Sequence, residues 1–382
     1  MDVLAAAERI APTLRARADE IERARRLPAD LAQQFAQAGF FRMVVPRDIG
    51  GLELPPETLM GTIEAVARAD ASCGWCVMIG ATSGMSAAYL EPDVARDIYG
   101  DPLVITGGSN TPTGRATPDG DGFRLSGRWP WVSGGANCSW LKGISVVMED
   151  GKPRLLPNGS PDARMMVFPA SQATLIDTWQ VAGMNGSGSG DMEVTDIRVP
   201  QAFTYSLVTG KPFASGALYQ FPAFGLLAMG IGAVALGNAR AAIDDLVELA
   251  GVKKPQGSRR TLAERSAAQS ELAQAEAILR SARAFYYEAI GDAWRKAQQG
   301  DAIGTEDRAL LRLAATHATR SSADVVRRMF ELGGGSVVYA SHPLQRRFRD
   351  AYTATQHMMI APPSWELAGR VLMGLPTDAS ML

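Results

Sequence analysis

The segment GRWPWVSGGANCSW, residues 127–140, places tryptophan and serine at alternate positions directly before two glycines. If this segment is a strand, Trp129, Trp131 and Ser133 lie on one of its faces. Aromatic rings and a hydroxyl on one face, followed by a glycine turn, favour a strand edge against which a flat ligand lies. The same pattern suits an ordinary half-buried strand that ends in a glycine turn, so the segment alone leaves both interpretations open.

The sequence on either side of this segment divides the chain into three parts. Helical periodicity dominates residues 1–102, short segments separated by Gly, Pro, Asn and Asp fill residues 103–207, and long helical patterns return over residues 208–382. This order predicts an α+β fold with an N-terminal helical domain, a central antiparallel β domain and a C-terminal helical bundle. Strands and helices do not alternate, which argues against a Rossmann domain.

Composition and charge exclude several classes of protein. The 382 residues carry a net charge of -2 and 20% of them are charged, so nothing favours binding to nucleic acid or to an anionic membrane. Charged residues interrupt the N-terminal segment, which is therefore no signal peptide, and a cytoplasmic protein is expected. The apolar run at 221–236 is too short and too rich in glycine for a comfortable membrane span and predicts a buried helix.

The three cysteines, Cys73, Cys76 and Cys138, form neither a disulfide framework nor a zinc site of the usual spacing. Cys73 and Cys76 are a C-x-x-C pair, but the residues around them are typical of an apolar helix and not of a strand-to-helix turn. Buried structural thiols are therefore expected, and no metal site is predicted.

Five motifs occur in an order that resembles the acyl-CoA dehydrogenase superfamily, which includes flavin-dependent monooxygenases of the same fold. The motifs are VVPRDIGG at 44–51, ARADASCGW at 67–75, GRWPWVSGG at 127–135, DTWQVAGMNGSGSGDMEVTDIRVP at 177–200 and FELGGGSVVYASHPLQRRFRDA at 330–351. The resemblance implies a central antiparallel β-barrel, a C-terminal four-helix bundle and a flavin between these two domains. It also implies a homotetramer in which a neighbouring subunit contributes to the cofactor site.

Dehydrogenases of this superfamily need a carboxylate that removes a proton from the acyl thioester. The family carries this glutamate either shortly after the R-D-A motif or on the first long helix of the bundle. In this chain no acid follows residues 349–351 at that place, and no Asp or Glu occurs between Asp196 and Asp244. His357 stands there instead. This resembles the oxygenase components of two-component monooxygenases, in which a late histidine and a serine of the W-x-S-G strand flank the flavin.

The resemblance therefore implies the oxygenase component of a group D two-component monooxygenase, with Ser133 and His357 as catalytic residues. In such enzymes reduced FMN or FAD reacts with O2 to give a C4a-hydroperoxide, which oxygenates an aromatic or heteroatom-containing small molecule. A separate NAD(P)H-dependent flavin reductase supplies the reduced flavin. A neutral His357 would accept a proton from the substrate, and Ser133 would donate a hydrogen bond near flavin N5 or the peroxide.

The resemblance also implies flavin contacts and a substrate pocket. The loop at 106–113, the strand under the ring and a glycine loop near the C-terminus match the family's cofactor site, whereas the family's diphosphate arginine has no direct match and Arg259 or Arg260 could take its place. The positions carried over are Thr106, Ser109, Asn110, Thr111, Trp131, Val132, Ser133, Arg259 with Arg260 as the alternative, Gly333 and Gly334. Met358 and Ser83 are expected to line the substrate pocket, with core packing as the alternative for Met358. Ser83 and Ser86 stand where some relatives carry a further histidine.

Two other functions stay open at the level of the sequence. One is an acyl-CoA dehydrogenase or flavin oxidase with a displaced base, for which an acyl-CoA would bleach bound oxidised flavin without oxygen. The other is a non-catalytic oligomeric binding protein, which would bind no flavin at all.

Overall fold

The computed structural model describes residues 2–379 and residue 382, so residue 1 and residues 380–381 of the first and third predicted domains lie outside the described residues. Helices occupy both ends of the chain and strands occupy its middle, which confirms the mixed helix-and-sheet prediction. The helices are α1 (Val3–Ala16), α2 (Ala18–Ala24), α3 (Ala29–Gln37), α4 (Pro56–Ala69), α5 (Ala71–Ser83), α6 (Ser86–Tyr89), α7 (Pro92–Tyr99), α8 (Ala223–Val252), α9 (Ser266–Gln299), α10 (Thr305–Gly333), α11 (Pro343–Ala354) and α12 (Pro363–Leu372). The strands are β1 (Thr106–Asp119), β2 (Gly122–Trp129), β3 (Trp140–Glu149), β4 (Lys152–Pro153), β5 (Ala163–Pro169), β6 (Thr174–Ile176), β7 (Asp191–Pro200) and β8 (Thr204–Tyr205). The domain boundaries at 102/103 and 207/208 stay a prediction.

The eight strands form one sheet with the order β6-β7-β2-β1-β3-β5-β8, and β4 pairs with β3 outside this path. In the described residues no pairing joins β6 to β8, so the sheet is open and the predicted closed barrel is not found. The prediction of purely antiparallel strands is also wrong, because β1 and β3 run parallel. The register of this parallel pair shifts between Ser109 and Gly114, and irregularities of this kind re-aim side chains beside functional sites.

The segment at residues 127–140 is a strand only in part. β2 ends at Trp129, whose ring is fully buried in the core of the sheet. Trp131 then has a positive φ of 62° and is 62% exposed, whereas Ser133 is buried. The predicted common face of Trp129, Trp131 and Ser133 is therefore wrong, because a left-handed residue interrupts the alternation of side chains.

Helix α8 lies at the centre of the helical part. It is long and apolar enough to cross a membrane by composition alone, but 89% of its most apolar window is buried inside the protein, which confirms the predicted buried helix. The helix packs against α4 and α5 on one side and α10 on the other, and one apolar cluster extends across both ends of the chain. Helix α5 is also buried and carries Cys73 and Cys76 as free thiols, as predicted.

The last helical segment of the predicted four-helix bundle, over residues 343–372, is interrupted in the structure. α11 ends at Ala354 and α12 begins at Pro363, so α8, α9 and α10 are accompanied by two short helices and not by a fourth long one. Pro362 and Pro363 lack the backbone N–H that a continuous helix requires, and a residue before a proline disfavours helical backbone. His357 therefore lies in a turn between two helices.

Candidate active site

Helix α5 brings the two predicted catalytic residues together. Asp70 caps this helix by accepting a hydrogen bond from Cys73 N over 2.9 Å. Trp75, one turn further on, donates from Nε1 to Ser133 Oγ over 3.0 Å. The ring of Trp75 also lies 5.9 Å from the ring of His357. Trp75 thus connects Ser133 with His357, although the sequence marked it only as the end of a motif.

Ser133 begins a chain of three buried hydroxyls. Ser133 Oγ is 2.6 Å from Ser189 Oγ, which is 2.7 Å from Ser187 Oγ. Ser187 Oγ in turn donates to the carbonyl oxygen of Met184 over 2.7 Å. A carbonyl only accepts and each hydroxyl has one proton, so Ser187 donates to Met184, Ser189 donates to Ser187, and Ser133 donates to Ser189.

This direction leaves Ser133 Oγ with a lone pair and no free proton, because its other partner is the N–H of Trp75. The expectation that Ser133 donates a hydrogen bond to the flavin is therefore not supported, and the side chain is an acceptor. Asp350 fixes the far end of the chain, since its Oδ1 accepts a hydrogen bond from Met184 N over 2.6 Å. Burial raises the pKa of Asp350 to about 7.

His357 is oriented by its own turn. The backbone N–H of Met359 donates to His357 Nδ1 over 3.3 Å, so in the neutral ring Nδ1 carries the lone pair and Nε2 carries the proton. Burial, together with the nearby cation of Arg312, lowers the pKa of His357 to about 4. The ring is neutral at pH 7 and presents an N–H donor at Nε2, which is the reverse of the proton acceptor that the sequence led us to expect.

A cleft opens beside this cluster on the same face of α5. Ile79 and Ser83 follow Trp75 at four-residue intervals, which places the three side chains on one helix face. The cleft contains about 520 Å³ of space free of protein atoms, including its open mouth. Its lining residues are Ile79, Thr82, Ser83, Met85, Gly108, Asn110, Lys142, Met165, Tyr205, Leu207, Ala223, Leu226 and Leu227. No carboxylate stands among these described residues, so the cleft offers no Asp or Glu that removes a carbon-bound proton.

Lys142 is the charged residue of the cleft. Its Nζ donates to Ser83 O over 3.0 Å, to Ser86 Oγ over 2.6 Å and to Tyr205 Oη over 3.4 Å. Burial lowers the pKa of Lys142 to about 7. We did not predict a role for this residue from the sequence. A lysine within the mostly apolar strand LKGISVV is nevertheless a visible signal of a functional position.

Four of the predicted cofactor residues lie at the start of β1, which includes the segment that was expected to be a loop. Thr106 and Ser109 are buried, and Thr111 N donates to Ser109 Oγ over 3.3 Å. Asn110 lines the cleft together with Gly108. A Cβ at Gly108 would overlap the carbonyl oxygen of Lys142, so glycine allows β1 and β3 to approach closely at this point.

The remaining predicted residues are distributed over three places. Val132 is buried, and its backbone N–H donates to Gly190 O over 2.9 Å. Arg259 lies between α8 and α9, while Gly333 and Gly334 end α10, and none of the three lines the cleft.

The two predicted pocket residues differ in their placement. Ser83 is buried and lines the cleft, and its role in substrate binding stays a prediction. Met358 is 69% exposed and outside the lining, so the structure gives its predicted pocket role no support.

The groups around Ser133 fit a flavin ring. Trp131 presents an exposed flat surface beside Ser133, and its left-handed backbone costs about 1–3 kcal/mol, as is common where a loop is shaped for a ligand. Reduced flavin carries a proton on N5 and oxidised flavin does not. An acceptor at Ser133 Oγ therefore matches the reduced form.

The chain shares its sequence and fold with known enzymes. Residues 4–91 match the acyl-CoA dehydrogenase N-terminal domain, and residues 229–362 match the acyl-CoA dehydrogenase C-terminal domain. Indole-3-acetate monooxygenase of Pseudomonas putida is 35% identical over 364 residues, which are 94% of this chain and 90% of that protein. HsaA, the oxygenase subunit of a flavin-dependent monooxygenase of Rhodococcus jostii strain RHA1, is 26% identical over 97% of this chain and 98% of its own length. The crystal structure of the HsaA monooxygenase from M. tuberculosis matches with a TM-score of 0.90 and 26% identity, over 100% of this chain and 99% of that one.

Proposed function

The chain belongs to the acyl-CoA dehydrogenase family, among its flavin-dependent monooxygenases, and from this premise we propose that it is the oxygenase component of a two-component enzyme. It uses reduced FMN or FAD and O2 to place one oxygen atom on an aromatic small molecule. The observation that carries the proposal is the connection of Ser133 and His357 through Trp75, beside a cleft whose described lining lacks a carboxylate.

Reduced flavin, when bound, supplies the two electrons that activate O2. The proton of Ser133 Oγ is already donated to Ser189, so this oxygen can only accept a further hydrogen bond. It therefore favours a ligand that presents an N–H group to Ser133. His357 Nε2–H donates a hydrogen bond to an oxygen atom that gains negative charge during the reaction. Trp75 keeps the two side chains at a fixed separation, and the apolar side chains of the cleft exclude water.

A separate NAD(P)H-dependent flavin reductase is part of the proposal. Within residues 2–379, the strands and helices form no strand–helix–strand unit of the kind that binds nicotinamide. The hydride therefore reaches the flavin on another protein, and the reduced flavin is transferred to this chain.

We also propose a homotetramer that works in the cytoplasm. Val338, Tyr339, Trp365 and Met373 near the C-terminus are 41–77% exposed, and apolar exposure of this extent favours contact with another copy of the chain. Val338 follows the glycines at 333–335 closely, so a contact here would bring these glycines to a neighbouring subunit. Sedimentation that shows a monomer at micromolar concentration would contradict this part of the proposal.

The proposed activity is tested with purified protein, chemically reduced FMN or FAD, isotopically labelled O2 and a panel of aromatic compounds. The expected result is a product that contains one labelled oxygen atom. Ser133→Ala and His357→Leu are expected to form less product and more hydrogen peroxide per flavin oxidised, whereas Ser160→Ala, at an exposed turn, behaves as the parent protein does. Bleaching of bound oxidised flavin by an acyl-CoA under anaerobic conditions, with no labelled product from any aromatic compound, would identify a dehydrogenase instead.

A further inference from the structure

Lys142 is a half-buried cation whose hydrogen-bond partners are all neutral. Its three N–H groups donate to a backbone carbonyl of Ser83 and to the hydroxyls of Ser86 and Tyr205. No carboxylate of the described residues forms an ion pair with it. An ammonium that is partly withdrawn from water and has no opposite charge is costly, so a site of this kind is completed most favourably by an anion from outside the chain.

The other titratable groups that face Lys142 carry no charge at neutral pH. Burial raises the pKa of Cys138, in the loop before β3, to about 12, and it raises that of Tyr99, on α7, to about 12. Burial also raises the pKa of Tyr205, on β8, far above its ordinary value. Lys142, whose pKa lies at about 7, is therefore the group near this end of the cleft that changes charge around neutrality.

One hydroxyl proton next to Lys142 is available to a ligand. Ser83 Oγ is buried, lines the cleft and has no hydrogen-bond partner among the residues that the structure describes. Ser86 Oγ and Tyr205 Oη are 2.6 Å apart and share one hydrogen bond, and Ser86 also bonds the hydroxyl of Tyr99, so the protons of this pair are already used. The cation of Lys142 and the free hydroxyl of Ser83 offer a carboxylate both an opposite charge and a hydrogen-bond donor.

The rest of the cleft is mostly apolar, and its Ile79 lies on the face of α5 that also carries Trp75. Ile79, Met165 and Leu226 are among its lining side chains and suit an aromatic ring. Ser83 and Trp75 are eight residues apart on α5, which corresponds to about 12 Å along the helix axis. A small aromatic acid bound at the Ser83 end therefore places its ring beside Ile79, between the anchor and Trp75.

We propose that this cleft binds an aromatic carboxylate whose carboxylate group lies on Lys142 and Ser83. The ring is directed along α5 toward Ser133. The contact of 3.4 Å between Lys142 Nζ and Tyr205 Oη is the weakest of the three and is the one that a carboxylate oxygen replaces. This inference rests on the proposed monooxygenase function and specifies its substrate class as small aromatic carboxylic acids.

The test compares indole-3-acetate with its primary amide, which has nearly the same shape and no charge. Binding to the full-length protein with reduced flavin is measured anaerobically, and labelled product is measured with O2. At pH 6.5 the acid is expected to bind at least about tenfold more tightly than the amide. Above pH 7 this preference falls by up to about tenfold per pH unit, because Lys142 loses its charge while the acid stays ionised.

Variants separate the charge of Lys142 from its shape. Lys142→Met removes the charge at similar length and is expected to abolish the preference, whereas Lys142→Arg retains part of it. Lys152→Met, at an exposed position of β4, is the matched control and keeps the preference of the parent. Lys142→Met also removes a half-buried charge that has no ion-pair partner among the described residues, so its melting temperature without ligand is expected to equal or exceed that of the parent.

The results that contradict this inference differ from those that contradict the proposed function. Equal binding of acid and amide between pH 6.5 and 9 in the parent protein overturns the inference, even if the variants do not fold. An intact preference in Lys142→Met, with weaker binding of reduced flavin, overturns it as well and assigns Lys142 to the cofactor. If the parent oxygenates the amide as well as the acid, this inference alone fails. If it oxygenates neither these two nor any other aromatic compound, the proposed function fails.

Discussion

The direction of the hydroxyl chain predicts that Ser133→Ala weakens the binding of reduced flavin and leaves that of oxidised flavin almost unchanged. Ser133 Oγ presents a lone pair, since its proton is donated to Ser189 and its other contact is the N–H of Trp75. Reduced flavin has a proton on N5 that this lone pair accepts. Oxidised flavin has only a lone pair there and gains nothing from Ser133.

The size of the effect follows from the loss of one neutral hydrogen bond. Such a bond contributes about 0.5–1.5 kcal/mol, which corresponds to a factor of about 2–13 in Kd at 25 °C. Ser189→Ala is expected to act in the opposite direction. It removes the acceptor of the Ser133 proton, so Ser133 becomes free to donate to oxidised flavin, and the preference for the reduced form narrows by a similar factor.

Anaerobic titration of the parent and of both variants with oxidised and reduced FMN and FAD measures these differences. Ser160→Ala, which alters an exposed turn, serves as the control and keeps the affinities of the parent. An equal loss for both redox states in Ser133→Ala, or a loss for oxidised flavin alone, would refute the acceptor role. Circular dichroism of each variant confirms that the comparison is made between folded proteins.

Three further predictions concern buried titratable groups. The pKa of Asp350 is raised to about 7, so its contribution to stability is present at low pH and is lost as the pH rises toward and through 7. Urea denaturation measures the free energy of unfolding of the parent and of Asp350→Asn between pH 5.5 and 8. The change in this free energy over the range should differ between the two proteins by on the order of 2 kcal/mol, and an equal change in both would contradict the prediction. Because His357 has a pKa of about 4, its titration should not lower the oxygenation rate as the pH falls from 8 to 5.5. His357→Gln keeps a hydrogen-bond donor and should form more product than His357→Leu. Burial raises the pKa of Cys73 and Cys76, so iodoacetamide should label neither in the native protein at pH 8 and both in urea, as peptide mass spectrometry would detect.

Local patterns predicted the helices well because their signals are local. The apolar run of α8 is visible in the sequence, and the structure has this buried helix at Ala223–Val252. The left-handed backbone at Trp131 has no such signal, because a tryptophan with positive φ is held by its surroundings and not by its own preference. The alternation from Trp129 to Ser133 therefore predicted a strand that the chain does not form.

The resemblance to a family pointed to Ser133 and His357, but the hydrogen-bond directions that it implied are the reverse of those in the structure. These directions depend on contacts with residues distant in sequence, such as Ser189 and the Met184 carbonyl, and on the turn that follows α11. Lys142 is visible in the sequence as a lysine within a mostly apolar strand, but its role is not. That role depends on the parallel pairing of β1 and β3, which brings Lys142 under α5 and which no local pattern predicts.

Helix α5 connects the two ends of the proposed site and therefore sets the length of its substrate. Trp75 holds Ser133 near the N-terminal half of this helix, and the carbonyl of Ser83 holds Lys142 at its C-terminal end. The rigid rise of the helix fixes the separation of these two points at about 12 Å along the axis, so a substrate is selected by the distance between its acid and its reacting carbon. Lengthening the side chain of an aromatic acid by one methylene should then move the site of oxygenation along the ring system without abolishing binding. Product analysis with aryl-acetates and aryl-propionates would detect this shift, and an unchanged position of oxygenation would show that the ring, and not the acid, determines how the substrate is placed.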